Sequence, residues 1–236
     1  MIRLKIAPEP SSFAKKVREP GENALALLAG KPLPHKRRGK PIAATKQIGG
    51  HRVSKKIADF AYWQDCLDEL HSAYDGICAY YCFRIEKAAL PHVDHFVAKN
   101  SGDPNLAYDW SNYRLACGYA NACKKEYPDI RDPASIKDGW FQLDLITLGV
   151  HANPELEGTL RDGVESTITK LQLRDGRALA VRQHAMAHFR SGRVQLGFLE
   201  KDHPFLAKEL ARQGISTPAQ LPFLPPEVIN TVEPEL

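Results

Sequence analysis

Between His92 and Glu126 the chain changes character four times, and this order restricts its possible folds more than any other feature. His92–Phe96 reads as a strand. Val97–Ser111, rich in Asn, Ser, Gly, Asp and Pro, reads as a long loop. Tyr113–Ala116 reads as a further strand, and Asn121–Glu126 as a short helix. Strand, long loop, strand, helix is the order of a ββα unit. An acid and a base, Asp94 and His95, stand at the end of the first strand, and asparagines follow at 112 and 121.

The flanking regions are of a different kind. Residues 1–56 are punctuated repeatedly by proline and glycine, including Pro8, Pro10, Pro20, Gly21, Pro32, Pro34, Gly49 and Gly50, and read as irregular, with one short helix through Glu22–Leu28. From about Lys56 to Ala73, Ile57, Phe60, Trp63, Leu67, Leu70 and Tyr74 recur at three- and four-residue steps. That spacing predicts one amphipathic helix, ended by Asp75-Gly76. Ile77–Phe83 reads as a strand or tight ribbon. Further on, Trp140–Leu145 alternates as a strand does, while Val164–Leu171, Gly176–Phe189 and Phe205–Arg212 read as helices. Pro218–Pro234 is too rich in proline for regular structure. The expected organisation is a basic N-terminal region (1–56), a helix with the ββα unit (57–130), and a mainly helical C-terminal region (131–236).

At 236 residues the chain can bury one substantial core, with room for a smaller appended lobe. No apolar run approaches a membrane span, and the first residues lack the apolar stretch of a secretory signal. Five cysteines, an odd number, fit free thiols in a reducing compartment, so the cytoplasm is expected. The net charge is only +4, but from Ala24 to Ala58 there is no Asp or Glu, while nine Lys and Arg fall in that window. A charge run alone is most often a solvated segment. Beside chemistry that acts on a polyanion, it becomes a surface for releasing counterions from DNA, with Lys36, Arg37, Arg38 and Lys40 at its centre.

The acid, base and amides suit one chemistry in particular. A backbone phosphodiester has a poor leaving group, so its hydrolysis needs an activated water and stabilisation of charge on the departing 3′ oxygen. A neutral histidine near its ordinary pKa supplies the first, and a hard divalent cation the second. Carboxylate and amide oxygens suit such a cation. Each residue alone has a plainer reading: Asn112 as a turn residue, Asn121 as a helix cap, His92 as a surface histidine sharing a strand face with Asp94.

Taken together, Cys78–Cys82, Val93–Phe96, Tyr108–Cys117 and Asn121–Lys125 resemble an HNH, or ββα-metal, endonuclease. The likeness covers about Ile77 to Pro128. It implies an α+β protein whose ββα-metal core is flanked by helices. It also implies His95 as general base, Asn112 as the residue bracing the loop behind it, and Asp94 with Asn121 as ligands of one Mg²⁺ or Mn²⁺. The nine-residue step from Asn112 to Asn121 agrees with the family pattern. The helix bearing Lys124 and Lys125 would meet DNA, where one of them would contact phosphate. The wider arrangement is similar to small HNH effectors of bacterial anti-phage systems of the Septu and Zorya types, which implies an ATPase or other defence subunit as partner.

Many HNH proteins hold a structural zinc between two Cys-x-x-Cys pairs. Here Cys78/Cys82 and Cys117/Cys123 have three and five intervening residues, a departure from the tight knuckle, and packing is the favoured reading over zinc. Two other functions compete with an anti-phage nuclease. One is a nucleic-acid-binding module with an idle HNH fold. The other is a sequence-specific restriction enzyme, whose base-reading residues the linear pattern does not identify.

Overall fold

A computed structural model describes residues 1–36, 41–100, 102–174 and 176–221. Arg37, Arg38 and Lys40 lie outside the described residues, as does most of the proline-rich end. Among the described residues the fold is α+β, with seven α-helices and three two-stranded antiparallel sheets. No helix among them is long and apolar enough to cross a membrane. The chain divides into two compact units. One comprises Lys5–Gly76 with Glu86–Asn121; the other comprises Met1–Leu4, Ile77–Ile85 and Ala122–Leu236.

The first unit begins with a π-helical turn, Ala14–Arg18, that runs into α1, Glu19–Leu28. The N-terminal stretch is therefore more ordered than its prolines suggest. Pro20 falls at the start of α1, where its missing N–H costs least, and the widened turn lies just before it. Phe13, Val17 and Ala24 are buried, and Phe13 meets the edges of Trp110 and Tyr113 at ring-centre distances of 5.5 and 5.8 Å. A hairpin follows: β1, Thr45–Ile48, and β2, His51–Ser54.

The single helix expected over 56–73 is three pieces. Ile57–Asp59 and Tyr62–Cys66 are 3₁₀ turns, and only α2, Leu67–Ala73, is α-helical. Asp59 caps the start of the first piece by accepting from the Lys56 N–H at 2.8 Å while pairing with Lys46, and Phe60 and Ala61 leave helical geometry before the second piece begins. The apolar period survives the break, since Phe60, Trp63, Leu70 and Tyr74 are all buried. Asp75 and Gly76, both at positive φ, end α2 as their types suggest. Then β3, His92–His95, pairs with β4, Tyr113–Ala116, and α3, Gly118–Lys124, starts three residues before its expected position.

In the second unit, Ile77–Ile85 is a tight ribbon: Ile77 bridges Arg84, and Cys82 turns the chain at a φ of 54°. β5, Phe141–Leu143, pairs with β6, Val150–Ala152, a strand too short to stand out in the sequence. Four helices complete the unit: α4, Gly158–Lys170, α5, Gly176–Arg190, α6, Leu196–Asp202, and α7, Pro204–Arg212. The buried Glu209 on α7 accepts from the Leu143 N–H at 2.9 Å and pairs with Arg212. That bond satisfies an edge amide of the β5–β6 hairpin inside the core, where an unpaired donor would be costly.

Candidate functional site

The antiparallel register of β3 and β4 sorts the expected residues onto two faces. Asp94 stands directly opposite Arg114, and His95 opposite Tyr113. Since side chains alternate along a strand, His92, Asp94, Arg114 and Ala116 share one face, while Val93, His95, Tyr113 and Leu115 share the other. The adjacent pair Asp94-His95 is thus split between two environments.

His95 lies on the aromatic side. Its ring meets Trp63 at 4.8 Å and Tyr113 at 5.0 Å between centres, both edge-on. Its Nε2 is 2.9 Å from the Ala107 carbonyl oxygen, which also accepts from the Tyr113 hydroxyl at 2.8 Å. A carbonyl only accepts, so Nε2 carries a hydrogen in this arrangement, and in a neutral ring the lone pair is on Nδ1. His95 is only 5 % exposed. The aromatic packing pushes the Tyr113 hydroxyl pKa well up, chiefly through burial, so Tyr113 serves here as a neutral donor.

Behind His95, the loop between the strands is closed by Asn112. Its Oδ1 accepts from the Val97 N–H at 2.8 Å, and its Nδ2 donates to the Val97 carbonyl at 3.0 Å and to the Leu106 carbonyl at 2.9 Å. The Asn112 backbone carbonyl accepts in turn from the Phe96 N–H at 2.9 Å. The side chain is buried and joins both ends of the loop, a bracing geometry. Between them, Pro104–Tyr108 forms a 3₁₀ turn capped by Asp103, whose carboxylate accepts from the Asn105 N–H at 2.9 Å.

The opposite face is the polar one. Asp94 and Arg114 are buried there, and the Arg114 guanidinium donates to the Ser111 and Tyr113 carbonyls at 2.7 and 2.8 Å while lying 5.5 Å from the Phe96 ring centre. His92, at the outer end of β3, is exposed. Helix α3 starts against this face, for a Cβ added at Gly118 would stand 3.2 Å from His92 Nε2. Asn121 is three residues further along α3 and so on the same side of the helix. It is half-buried, and its N–H donates to the Cys117 carbonyl at 3.0 Å. Asp94, His92 and Asn121 therefore belong to one side of the ββα arrangement. One carboxylate, one amide and one imidazole, completed by water and phosphate oxygens, fit a hard divalent cation in donor type. Among the described residues no group of three or more His, Cys, Asp or Glu is placed to hold a metal.

Arg114 was not legible as a site residue, because a lone arginine in a strand has no motif. Only the register that sets it opposite Asp94 reveals it. The other expected residues fare unequally. Lys124 is buried, so it does not present its charge at the surface as a phosphate contact requires, whereas Lys125 is exposed with its amine 5.8 Å from the Tyr127 ring centre. Lys36 lines a cleft of about 540 Å³ with Lys15, Glu19, Asn23, His35 and Tyr62, and neither Asp94 nor His95 is part of its lining. All five cysteines are free thiols; Cys66, Cys78 and Cys82 are buried, and Cys117 and Cys123 half-buried. No protein-family model matches the chain, and no curated protein matches it.

Proposed function

We propose that β3, its loop, β4 and α3 form the catalytic part of a metal-dependent HNH endonuclease that hydrolyses DNA phosphodiesters. The observation that carries this reading is the Asn112 clamp. By gripping Val97 and Leu106 it holds the strand end bearing Asp94 and His95 against the strand bearing Arg114.

In this reading His95, with its Nε2 hydrogen on the Ala107 carbonyl, takes a proton from water at Nδ1. The resulting hydroxide oxygen bonds to phosphorus as the bond to the 3′ oxygen breaks, and the departing 3′ oxygen takes up a proton from solvent, leaving a 5′-phosphate and a 3′-hydroxyl. Asp94 and Asn121, with His92 on the same side, would hold Mg²⁺ or Mn²⁺. When bound, that ion offsets the charge growing on the departing oxygen. Arg114 adds a fixed positive charge to the face on which the phosphate would sit. The place of such an enzyme in anti-phage defence, beside an ATPase partner, rests on the resemblance of the wider sequence.

The burial of His95, on the strand face opposite Asp94 and Arg114, favours a second reading, a nucleic-acid-binding module without turnover, since a base must reach the water it activates. One experiment separates the two. The full chain is incubated with supercoiled plasmid in Mg²⁺, Mn²⁺ or EDTA, alongside His95→Gln, Asp94→Ala and Asn121→Ala. A nuclease cuts in metal and not in EDTA, and His95→Gln lowers the rate by about two to four orders of magnitude. Mn²⁺ should partly rescue Asn121→Ala and hardly rescue Asp94→Ala, since a carboxylate brings charge and an amide only a dipole. Binding without cleavage in every metal establishes the idle module, and equal cutting in EDTA and Mg²⁺ removes the metal mechanism.

A further inference from the structure

The β1–β2 hairpin has a chemistry that the candidate catalytic unit does not use. Its register pairs Thr45 with Ser54, Lys46 with Val53, Gln47 with Arg52 and Ile48 with His51. Cross-strand partners share a face, so Thr45, Gln47, Arg52 and Ser54 form one face and Lys46, Ile48, His51 and Val53 the other. The first face is made entirely of hydrogen-bonding side chains and carries no acid. Gln47, Arg52 and Ser54 are exposed, and among the described residues no hydrogen bond or ion pair engages their side chains. The second face ties the base of the ribbon to its own unit through the Lys46–Asp59 pair, while toward the tip both faces are exposed.

The ribbon's shape is as telling as its chemistry. Gly49 and Gly50, at φ of 54° and 82°, make the two-residue turn whose twist matches paired strands, and no side chain widens the tip. Two strands about 4.8 Å apart with their side chains are roughly 10 Å across, and the major groove of B-form DNA is about 12 Å wide. A groove of that width admits a two-stranded ribbon. Four residues of strand extend about 13 Å, the length of roughly four base pairs.

We infer that this hairpin enters the major groove of duplex DNA and reads base edges, with Arg52 forked on a guanine and Gln47 on a neighbouring adenine. Charge argues for this occupant over another protein: from Ala24 to Ala58 the sequence holds nine Lys and Arg and no acid. The face then meets the two base types that guanidinium and amide groups match by two hydrogen bonds each. Because Gln47 and Arg52 are a cross-strand pair, their targets are adjacent or overlapping base pairs. The inference takes its ligand class, DNA, from the nuclease reading, and assigns that reading its specificity residues.

The test is selection of a duplex library with a random core by the full chain in EDTA, followed by sequencing of the bound fraction. Wild type should enrich a guanine and an adenine at neighbouring positions. Arg52→Ala and Arg52→Lys should both flatten the guanine position, the lysine variant because it keeps the charge and loses the fork. Gln47→Ala should flatten the adenine position. Each loss should be about 5- to 150-fold in discrimination at that position. No enrichment by wild type, identical enrichment by all variants, or preference for single-stranded RNA or an acidic peptide over duplex overturns the ribbon assignment. Wild-type cleavage in Mg²⁺ is scored separately. Enriched binding without cleavage defeats the nuclease reading and keeps the ribbon, whereas cleavage without enriched positions does the reverse.

Discussion

The side chain of Asn112 grips Val97 by both of its main-chain groups, accepting from its N–H at 2.8 Å and donating to its carbonyl at 3.0 Å. A third bond, to the Leu106 carbonyl, brings the 3₁₀ turn within the same loop to the same amide group. Only an amide has a donor and an acceptor in this arrangement; a carboxylate would face two carbonyl oxygens with no hydrogen to give.

Asn112→Ala should therefore lower stability by about 1.5–4.5 kcal/mol, the net worth of three partly buried hydrogen bonds. Asn112→Asp should cost more than alanine, because it keeps one bond and buries a charge against two acceptors. Urea unfolding of the full chain gives the ranking, and amide exchange should place the loosening at residues 97–106. An Asn112→Asp variant as stable as wild type would refute the clamp.

A second expectation concerns Gly21 in α1. A Cβ there would land on the ring of Tyr108, whose hydroxyl donates to the Phe60 carbonyl at 3.0 Å. Gly21→Ala should force that ring aside and destabilise by about 1–3 kcal/mol, although alanine is the better helix former. Gly197 in α6 is the control, since a Cβ there meets nothing within 4 Å and its φ is not positive. Gly197→Ala should be neutral or stabilising by up to about 1 kcal/mol. Opposite signs for the two glycines in urea midpoints check the packing of α1.

Cysteine reactivity gives a third. Burial, reinforced by Glu69, pushes the Cys66 thiol pKa up to about 12, so Cys66 holds almost no thiolate at pH 8. Native labelling with iodoacetamide, read by mass spectrometry, should modify Cys117 and Cys123 first, and Cys66, Cys78 and Cys82 only after denaturant is added. A structural zinc held by these thiols would instead protect Cys117 and Cys123 until a chelator is added, with stoichiometric zinc in the purified protein.

Much of the local structure was legible because it depends on near neighbours. Tyr113–Ala116 and Gly176 onward declare themselves by their own period and punctuation, and the stop at Asp75-Gly76 by residue types that tolerate positive φ. The apolar period over 57–74 marked four buried residues, Phe60, Trp63, Leu70 and Tyr74, with Ile57 and Leu67 half-buried, yet not the helix. A period records which side faces the core, and the backbone leaves helical geometry at Phe60 and Ala61 without disturbing that side. The strand β6 was missed because three residues carry too little pattern to detect.

By itself, then, the sequence determined the order of strand, loop, strand and helix, the concentration of positive charge before Asp59, and the residue types available for chemistry. Tertiary structure decided what those residues can do. It set Asp94 opposite Arg114 and His95 among Trp63 and Tyr113, joined Asn112 to Val97, buried Lys124, and turned Gln47 and Arg52 outward on one ribbon face. The physical reason is range. Period and turn chemistry act between residues a few positions apart, whereas burial, register and hydrogen-bond partnership depend on segments that meet only once the chain has folded.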